Sequence, residues 1–492
     1  MRLHDLAKVL RFYQATASIE NINITGLQMD SNQVEDGNMF ICINGFTVDG
    51  HAFAKDAETK GAAAIIAERD VDVSVPVIIV NDTIRALALL ANKYYNNPSS
   101  HLNLIGVTGT NGKTTVTYLL DHIFRQENKT TGVIGTIQMK MGNDQYSVKN
   151  TTPDALFLQK SFRQMIDRNI EDVIMEVSSH ALDLGRVYGC DYDIAIFTNL
   201  SQDHLDYHKS MNEYLRAKSL LFSQLGNKYS CEAPKYAVIN QDDGYSSVFK
   251  KSTSQPVITY GIESEADVKA ENINLSAHGS QFTLKTNVSS TKIHSKLVGK
   301  FSIYNMLAAT AGALCRGVSL TTIKKALETT DGVRGRFEPV LLNQPFGVIV
   351  DYAHTPDSLQ NVLTTIQSFA KGRVYVVIGC GGDRDKKKRP LMASVAISNT
   401  DLAIFTSDNP RSENPSEIVK DMITGIDGNN YQIILNRKEA IDHAIDLAHD
   451  DDIVLIAGKG HETYQVLGDK VVEFDDREEA AKAIVKKVGK EK

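Results

Sequence analysis

The chain reads as a three-domain α/β protein built around a central phosphate-loop domain. Its 492 residues suffice for roughly three domains at about 150 residues each. From residue 99 onward, short β-branched runs alternate with helix-period segments. A turn rich in Gly, Lys and Thr sits between a strand-like and a helix-like segment.

Residues 1–98 are expected to form a smaller amino-terminal α/β domain, with strands in MFICI, AAAIIAE and VPVIIV and a helix in DTIRALALLANKYY. The polar NNPSSH that follows reads as a linker. Residues 99–330 form the central domain, whose strands NLIGVT, DVIMEV and DIAIFT carry the βαβ signature of a mostly parallel sheet. Near 250–298, polar alternation in QFTLKT and TKIHSKLVG predicts a small antiparallel patch. Residues 331–492 restart the α/β pattern as a Rossmann-like domain. GVIVDYAH, RVYVVIGCGG, DLAIFTSDNP and DIVLIAGKGH are its strands and ligand-facing loops, and a helix led by Asp475 and Asp476 ends the chain.

A net charge of −7, from 53 basic and 60 acidic residues, argues against a nucleic-acid partner, because the only basic run is Lys386, Lys387, Lys388 and Arg389. Cys42, Cys190, Cys231, Cys315 and Cys380 are far apart and form no CxxC pair, which suits reduced thiols in a cytoplasmic protein. The amino terminus, MRLHDLAKVLRFYQ, has no continuous apolar stretch, and no run approaches eighteen apolar residues. Neither secretion nor membrane insertion is expected.

Gly109, Thr110, Asn111, Gly112, Lys113, Thr114 and Thr115 follow the strand LIGV and precede TVTYLLDHIF. In that context glycines let backbone N–H groups converge on phosphate oxygens. Lys113 supplies a charge to the β/γ-phosphates, and the Thr114 hydroxyl can meet magnesium. The strict GxxxxGK[ST] spacing fails at Val107, so a glycine turn beside a surface lysine is the alternative. Glu176 ends one strand, while Asp203 and His204 follow another, so a magnesium site is possible there. Equally, Glu176 could be a solvated or capping carboxylate, and His204 and His208 could simply share a helix face. Lys218 alone reads as a solvated helical lysine.

GVTGTNGKTT resembles the phosphate loop of the Mur ligases and their folylpolyglutamate synthase relatives, in which Val107 is no anomaly. DGNMFICINGFTVDGH, NTTPD, MEVSSHAL, TNLSQDHLDYH, YLRAKSLLF, GKFSIYN, GRFE, DYAHTPD, GGDRDKKKRP, SDNPRSENP and GKGHE extend the resemblance along nearly the whole chain. It implies an ATP- and Mg2+-dependent amide-bond ligase of peptidoglycan synthesis, working through an acyl phosphate, with small-molecule substrates and a monomeric cytoplasmic form. Thr114, Glu176, His204 and a carbamylated Lys218 would hold the metal. Lys113 would act with Glu176, His204 and Lys218 in catalysis, and Asn305, Arg336 and Asp351 would join the loop in holding nucleotide.

Ser31, Thr47, Thr151, Thr152, Ser178 and Arg186 match positions that hold a UDP-muramoyl dipeptide, although turns and helix caps would also explain the hydroxyls. The family's usual DSR reads DSN here, at Asn32. Arg384, Asp408, Asn409, Arg411, Gly458 and Glu462 match a meso-diaminopimelate pocket. That amino acid carries a carboxylate that lysine lacks, and Arg411 offers it a cation. Taken alone, DNPR could equally be a turn after a strand. The rival readings are a lysine-adding ligase, a folylpolyglutamate synthase, and a P-loop switch or motor that hydrolyses ATP without an amino acid.

Overall fold

Runs of Val, Ile and Phe that alternate with amphipathic helices have apolar side chains on both strand faces, and covering both faces produces parallel sheet lined with helices. The computed structural model describes residues 1–45, 48–205, 207–229, 234–276 and 279–490. Within it the chain divides into two compact units, Met1–Thr259 and Tyr260–Lys492.

The first unit begins with a sheet in the order Gln14–Ala15, Val77–Ile79, Ala64–Ala67, Asn38–Ile41 and Gly26–Gln28, parallel except at Gln14–Ala15. The helix Thr83–Tyr94 starts where the Asp82 carboxylate accepts from Arg85 N, and it buries Leu87, Leu90 and Ala91 against Met39, Ile41 and Ile66. NNPSSH is not a loose linker. Asn97 turns left-handed (φ 49°), Pro98–His101 makes a 3-10 turn, and Asn92 Nδ2 and Ser99 Oγ both donate to Gly189 O, at 2.7 and 3.2 Å. Ser99, buried within the segment, thus ties it to a part-buried carbonyl, while Asn96, Asn97, Ser100 and His101 stay exposed.

The unit's second sheet runs Tyr236–Asn240, Ile194–Phe197, Asn103–Thr108, Asp172–Glu176 and Thr131–Ile134, all parallel, and the antiparallel Met139–Met141 and Asp144–Tyr146 follow at one side. Glu176 is in register with Val107, and Phe197 with Thr108. The phosphate loop, the end of the Glu176 strand and the TNLSQDH segment therefore leave the sheet from one carboxyl edge.

In the second unit, Val268–Ser276, Gly279–Thr286 and Ser290–Ser295 form the expected antiparallel patch. Helices Lys300–Cys315 and Leu320–Thr329 follow. Val298 lies in the same apolar core as Ile349, Val376 and Leu455, with Leu275 and Phe301 packed against it. The final sheet runs Glu338–Pro339, Gly347–Asp351, Ile453–Ala457, Val374–Ile378, Leu402–Phe405 and Tyr431–Ile433, antiparallel only at its first strand. Asp351 and Ile378 both align with Ala457, and Ile378 with Phe405, so DYAH, GCGGDRD, TSDNPR and GKGHE leave from a common edge. No described helix is long and apolar enough to cross a membrane. The four described cysteines are free thiols, while Cys231 lies outside the described residues.

The closing helix, Asp476–Lys490, is fastened by a fully buried ion pair. Arg437 Nε and Nη2 donate to the two Asp476 oxygens at 2.7 and 2.6 Å, and Nη2 also donates to Ala457 O at 2.9 Å. Removing one partner strands a charge out of water, so Asp476→Ala should destabilise this unit by about 3–5 kcal/mol in denaturant titrations. The double variant Arg437→Met/Asp476→Leu should recover most of that loss, since both charges are then gone.

Candidate active site

The phosphate loop is shaped by two glycines. Gly109 has φ 150°, and a Cβ there would lie 1.9 Å from Thr198 Oγ1 and 3.0 Å from Asn199 N and O. Gly112, at φ 87°, turns the chain into the helix Lys113–Gln126, whose first turn carries Thr114. The loop is braced from the TNLS segment: Thr110 N donates to Asn199 O (2.8 Å), Asn111 N to Asn199 Oδ1 (3.0 Å), and Thr198 Oγ1 to Asn111 O (2.6 Å). Lys113 Nζ curls over the loop and donates to Gly109 O and Thr110 O at 3.0 and 2.9 Å. Thr115 is half-buried on the same turn.

Glu176 is fully buried, which removes the solvated alternative. Its Oε2 accepts from Thr114 Oγ1 (2.9 Å) and Thr136 Oγ1 (3.0 Å), and its Oε1 accepts from Thr136 N (2.8 Å). A carboxylate and hydroxyl meeting at the phosphate loop form a hard-oxygen donor set of the kind Mg2+ uses alongside phosphate oxygens and water. Among the described residues no three His, Cys, Asp or Glu side chains converge as a metal cage.

Lys218 is not a solvated lysine. It lies on the helix Met211–Ser223 with 1% exposure, and its Nζ donates to Gly109 O at 2.8 Å, so it shares that carbonyl with Lys113. Burial, reinforced by the Lys113 charge, pulls its pKa well below the ordinary lysine value. His204 does not sit on a helix. It is left-handed (φ 54°) in a turn where His208 N donates to His204 O at 2.9 Å, and its ring packs edge-on against His180, with centroids 5.0 Å apart. Tyr207 and His208 also flank His180, at 4.2 and 5.6 Å.

Thr151, Thr152, Ser178 and Arg186 gather around the Glu176 strand end. Thr151 Oγ1 and Thr136 Oγ1 share a hydrogen bond of 3.1 Å, and Arg186 Nη1 donates to Thr152 O at 3.2 Å. Thr152 is fully buried; its hydroxyl donates to Glu176 O (2.8 Å) and accepts from Ser178 N (3.0 Å). Ser178 caps the helix Ser179–Asp183. These two hydroxyls thus have backbone work in the fold. Ser31 borders a cleft of about 290 Å³ lined also by Met29, Asn32, Phe40, Ile43 and Val48. Thr47 lies outside the described residues.

In the second unit, Asp351 Oδ2 and Oδ1 accept from Phe337 N and Ala353 N, each at 2.7 Å. Burial raises the Asp351 pKa, and the Arg336 charge opposes that shift. The Arg336 guanidinium lies 4.8 Å from the centre of the Tyr352 ring. Asn305 is buried on the helix Lys300–Cys315. Around GKGHE, Asn409 Nδ2 donates to Glu462 Oε2 (2.8 Å), and a Cβ on Gly458 would lie 2.8 Å from Asp408 Oδ2. Arg411 is left-handed (φ 52°) and its Nη1 donates to Gly382 O at 2.7 Å, whereas Arg384 is exposed.

Sequence reasoning missed two supports. Thr136 closes the Glu176 carboxylate from a strand end without a motif. Lys459, fully buried, donates to Asn409 Oδ1 (3.2 Å) and Glu462 Oε2 (3.1 Å), and its place inside GKGHE could have marked it.

Gly109→Ala should abolish nucleotide binding measured by calorimetric titration with ADP, because the added methyl collides with Thr198 while the positive φ resists any L side chain. Adding Thr198→Ala should not restore it, since the Asn199 backbone still stands 3.0 Å away.

Family models match three stretches of the chain: "Mur ligase family, catalytic domain" over residues 23–95, "Mur ligase middle domain" over 107–313, and "Mur ligase, glutamate ligase domain" over 335–460. The chain is 56% identical over 491 residues to the UDP-N-acetylmuramoyl-L-alanyl-D-glutamate--2,6-diaminopimelate ligase of Oceanobacillus iheyensis, covering 99% of this chain and 100% of the relative. It is 54% identical to the protein of the same name in Bacillus cereus, covering all of both. A solved structure bearing that name superposes with a TM-score of 0.73 at 33% identity, over 98% of this chain and 99% of the other. The MurF ligase of Thermotoga maritima in complex with ADP shares the fold, with a TM-score of 0.62 at 17% identity over 96% of this chain and 99% of that one. With three family models along its length and relatives more than half identical over nearly all of it, this chain belongs to the Mur ligase family.

Proposed function

We propose that the chain is an ATP-dependent ligase that adds meso-2,6-diaminopimelate to the D-glutamate of UDP-N-acetylmuramoyl-L-alanyl-D-glutamate, in the cytoplasm and as a monomer. The observation that carries this reading is the joining of a phosphate loop to a buried carboxylate and a buried, weakly basic lysine, in a chain more than half identical to relatives of that name. In this reading residues 1–98 hold the uridine diphosphate, 99–330 the ATP, and 331–492 the amino acid.

The D-glutamyl carboxylate attacks the γ-phosphorus of ATP and ADP leaves. The amine of the incoming amino acid then attacks the acyl phosphate, a proton leaves the nitrogen, and inorganic phosphate departs. Lys113, now curled onto the loop carbonyls, swings its charge to the β/γ-phosphates. Thr114, Glu176, His204 and a carbamylated Lys218 would hold Mg2+, which would screen phosphate charge. Burial makes the Lys218 amine easier to deprotonate, which favours a carbamate: the unprotonated Nζ adds to carbon dioxide, a proton passes to water, and a carboxylate remains. Arg411, fixed through Nη1, directs its other N–H groups at the distal carboxylate of diaminopimelate, and Glu462 takes an ammonium group. L-Lysine lacks that carboxylate, so Arg411 argues against the lysine-adding alternative.

With ATP, magnesium and the UDP-muramoyl dipeptide, phosphate release should require meso-diaminopimelate and yield a product heavier by one diaminopimelyl residue. Arg411→Ala should lose most of this activity, by roughly a hundredfold in kcat/KM, as for a deleted charge-assisted pair. Preference for L-lysine would sink the specificity, and hydrolysis independent of any amino acid would sink the ligase. Incubation with 13C-bicarbonate should give one protein carbamate resonance that Lys218→Met lacks, and stripping carbon dioxide should lower activity reversibly.

A further inference from the structure

Two loops of the second unit carry the cations assigned to the amino acid: 381–385 with Arg384, and 408–413 with Arg411. They are stitched together directly. Gly382 N donates to Asn409 O (2.9 Å), Arg411 Nη1 to Gly382 O (2.7 Å), and Ser412 N and Oγ to Asp383 at 3.1 and 2.7 Å. A Cβ on Gly382 would lie 1.9 Å from Pro410 O, so the backbones meet with no room for a side chain.

This seam is closed by a clasp outside the residues already assigned. Arg389, on the helix Lys388–Ser398, has no exposed surface yet carries a full charge. Its Nη2 and Nη1 donate to Glu413 Oε1 and Oε2 at 2.8 and 3.0 Å, a bidentate fork, and Nη2 also lies 3.4 Å from Gly381 O. Nη1 donates as well to Asp421 Oδ2, at 2.7 Å. Glu413 Oε1 in turn accepts from Asp383 N at 2.6 Å, and Lys386 Nζ stands 3.1 Å from Oε2. One carboxylate therefore touches the first loop through Asp383, belongs to the second two residues after Arg411, and is locked from beneath by a buried guanidinium. Asp383 and Arg411 are both left-handed, φ 53° and 52°, so each loop holds a conformation that a non-glycine residue adopts only when its surroundings enforce it.

We infer that Glu413, locked by Arg389, is a positioning residue that sets the separation of Arg384 and Arg411 and thereby the recognition of the distal carboxylate of the amino-acid substrate. The inference rests on the proposed diaminopimelate reading. Asp421 shares the same guanidinium but, among the described residues, has no hydrogen bond or ion pair to either loop, and this separates positioning from mere fold support.

The test compares Glu413→Gln, Arg389→Lys and Asp421→Asn in the full-length enzyme by steady-state kinetics with meso-diaminopimelate and with L-lysine, alongside thermal unfolding. Glu413→Gln and Arg389→Lys should raise KM for meso-diaminopimelate roughly tenfold or more, narrow its preference over L-lysine, and leave KM for ATP and for the UDP-muramoyl dipeptide within about twofold. Asp421→Asn should leave every KM within about twofold even where its unfolding midpoint falls as far as that of Glu413→Gln. An unchanged KM for meso-diaminopimelate in Glu413→Gln, or equal rises for Asp421→Asn and for all three substrates, overturns the inference while the proposed function stands. A wild-type enzyme that does not use meso-diaminopimelate overturns both.

Discussion

A carboxylate without exposed surface has to find its hydrogen bonds inside the protein, and Glu176 finds them in three pieces of chain that the sequence keeps far apart. Thr114 comes from the helix after the phosphate loop, Thr136 from the end of a neighbouring strand, and Thr152, through the Glu176 carbonyl, from the NTTPD segment. Each contact fixes a part of the site that the proposed function uses. Thr114 is held on the loop, Thr151 is brought beside Thr136, and Gly135 must remain glycine because a Cβ there would lie 2.3 Å from Glu176 Oε1. One buried charge thus sets the register between the nucleotide side of the sheet edge and the side assigned to the muramoyl peptide.

The same edge holds a second electrostatic constraint. Lys113 and Lys218 both donate to Gly109 O, and two ammonium groups on one carbonyl repel. Lys113 is half-buried and Lys218 is buried, so the cost of charge falls on Lys218, whose pKa is pulled well below the ordinary lysine value. Sign matters for stability. Between the lowered folded pKa and the ordinary lysine value near 10.4, the unfolded chain binds one more proton than the folded one at this site, so the folded form gains stability from it as pH rises through that window. Burial makes this amine a weaker base than an exposed lysine, which suits the carbamate of the proposed function.

Much of the architecture was legible because strand and helix periods are local properties. NLIGVT, DVIMEV, GVIVD and DIVLIA are strands in the structure, and the polar alternation near 268–295 is the antiparallel patch. The edge on which GTNGKT, Glu176 and TNLS converge could also be read, since strand ends in parallel sheets point one way. What escaped depends on distance along the chain. Lys218 looks like any lysine on an amphipathic helix until its Nζ is seen on a carbonyl 109 residues away. NNPSSH has a linker's composition, and only the Gly189 carbonyl reveals that one of its hydroxyls, on Ser99, points inward. The turn-and-cap alternative for the threonines holds for Thr152, whose hydroxyl braces backbone, and Ser178 also caps a helix.

The second unit shows why a specificity motif cannot be read as one residue. Arg411 supplies a cation, but a cation on a loop recognises a carboxylate only where its direction is fixed. That direction comes from its left-handed backbone, from Gly382 O, and from Arg411 N donating to Val466 O at 3.0 Å. Glu462 is held likewise: buried Lys459 grips Asn409 and Glu462, so the carboxylate assigned to an ammonium group is fixed by the fold itself. Orientation established during folding need not be purchased from binding energy, so under the proposed function the choice between an amino acid with one carboxylate and one with two would turn on whether the guanidinium finds its partner. A turn of the same composition without these supports would carry the same charge and lack the discrimination.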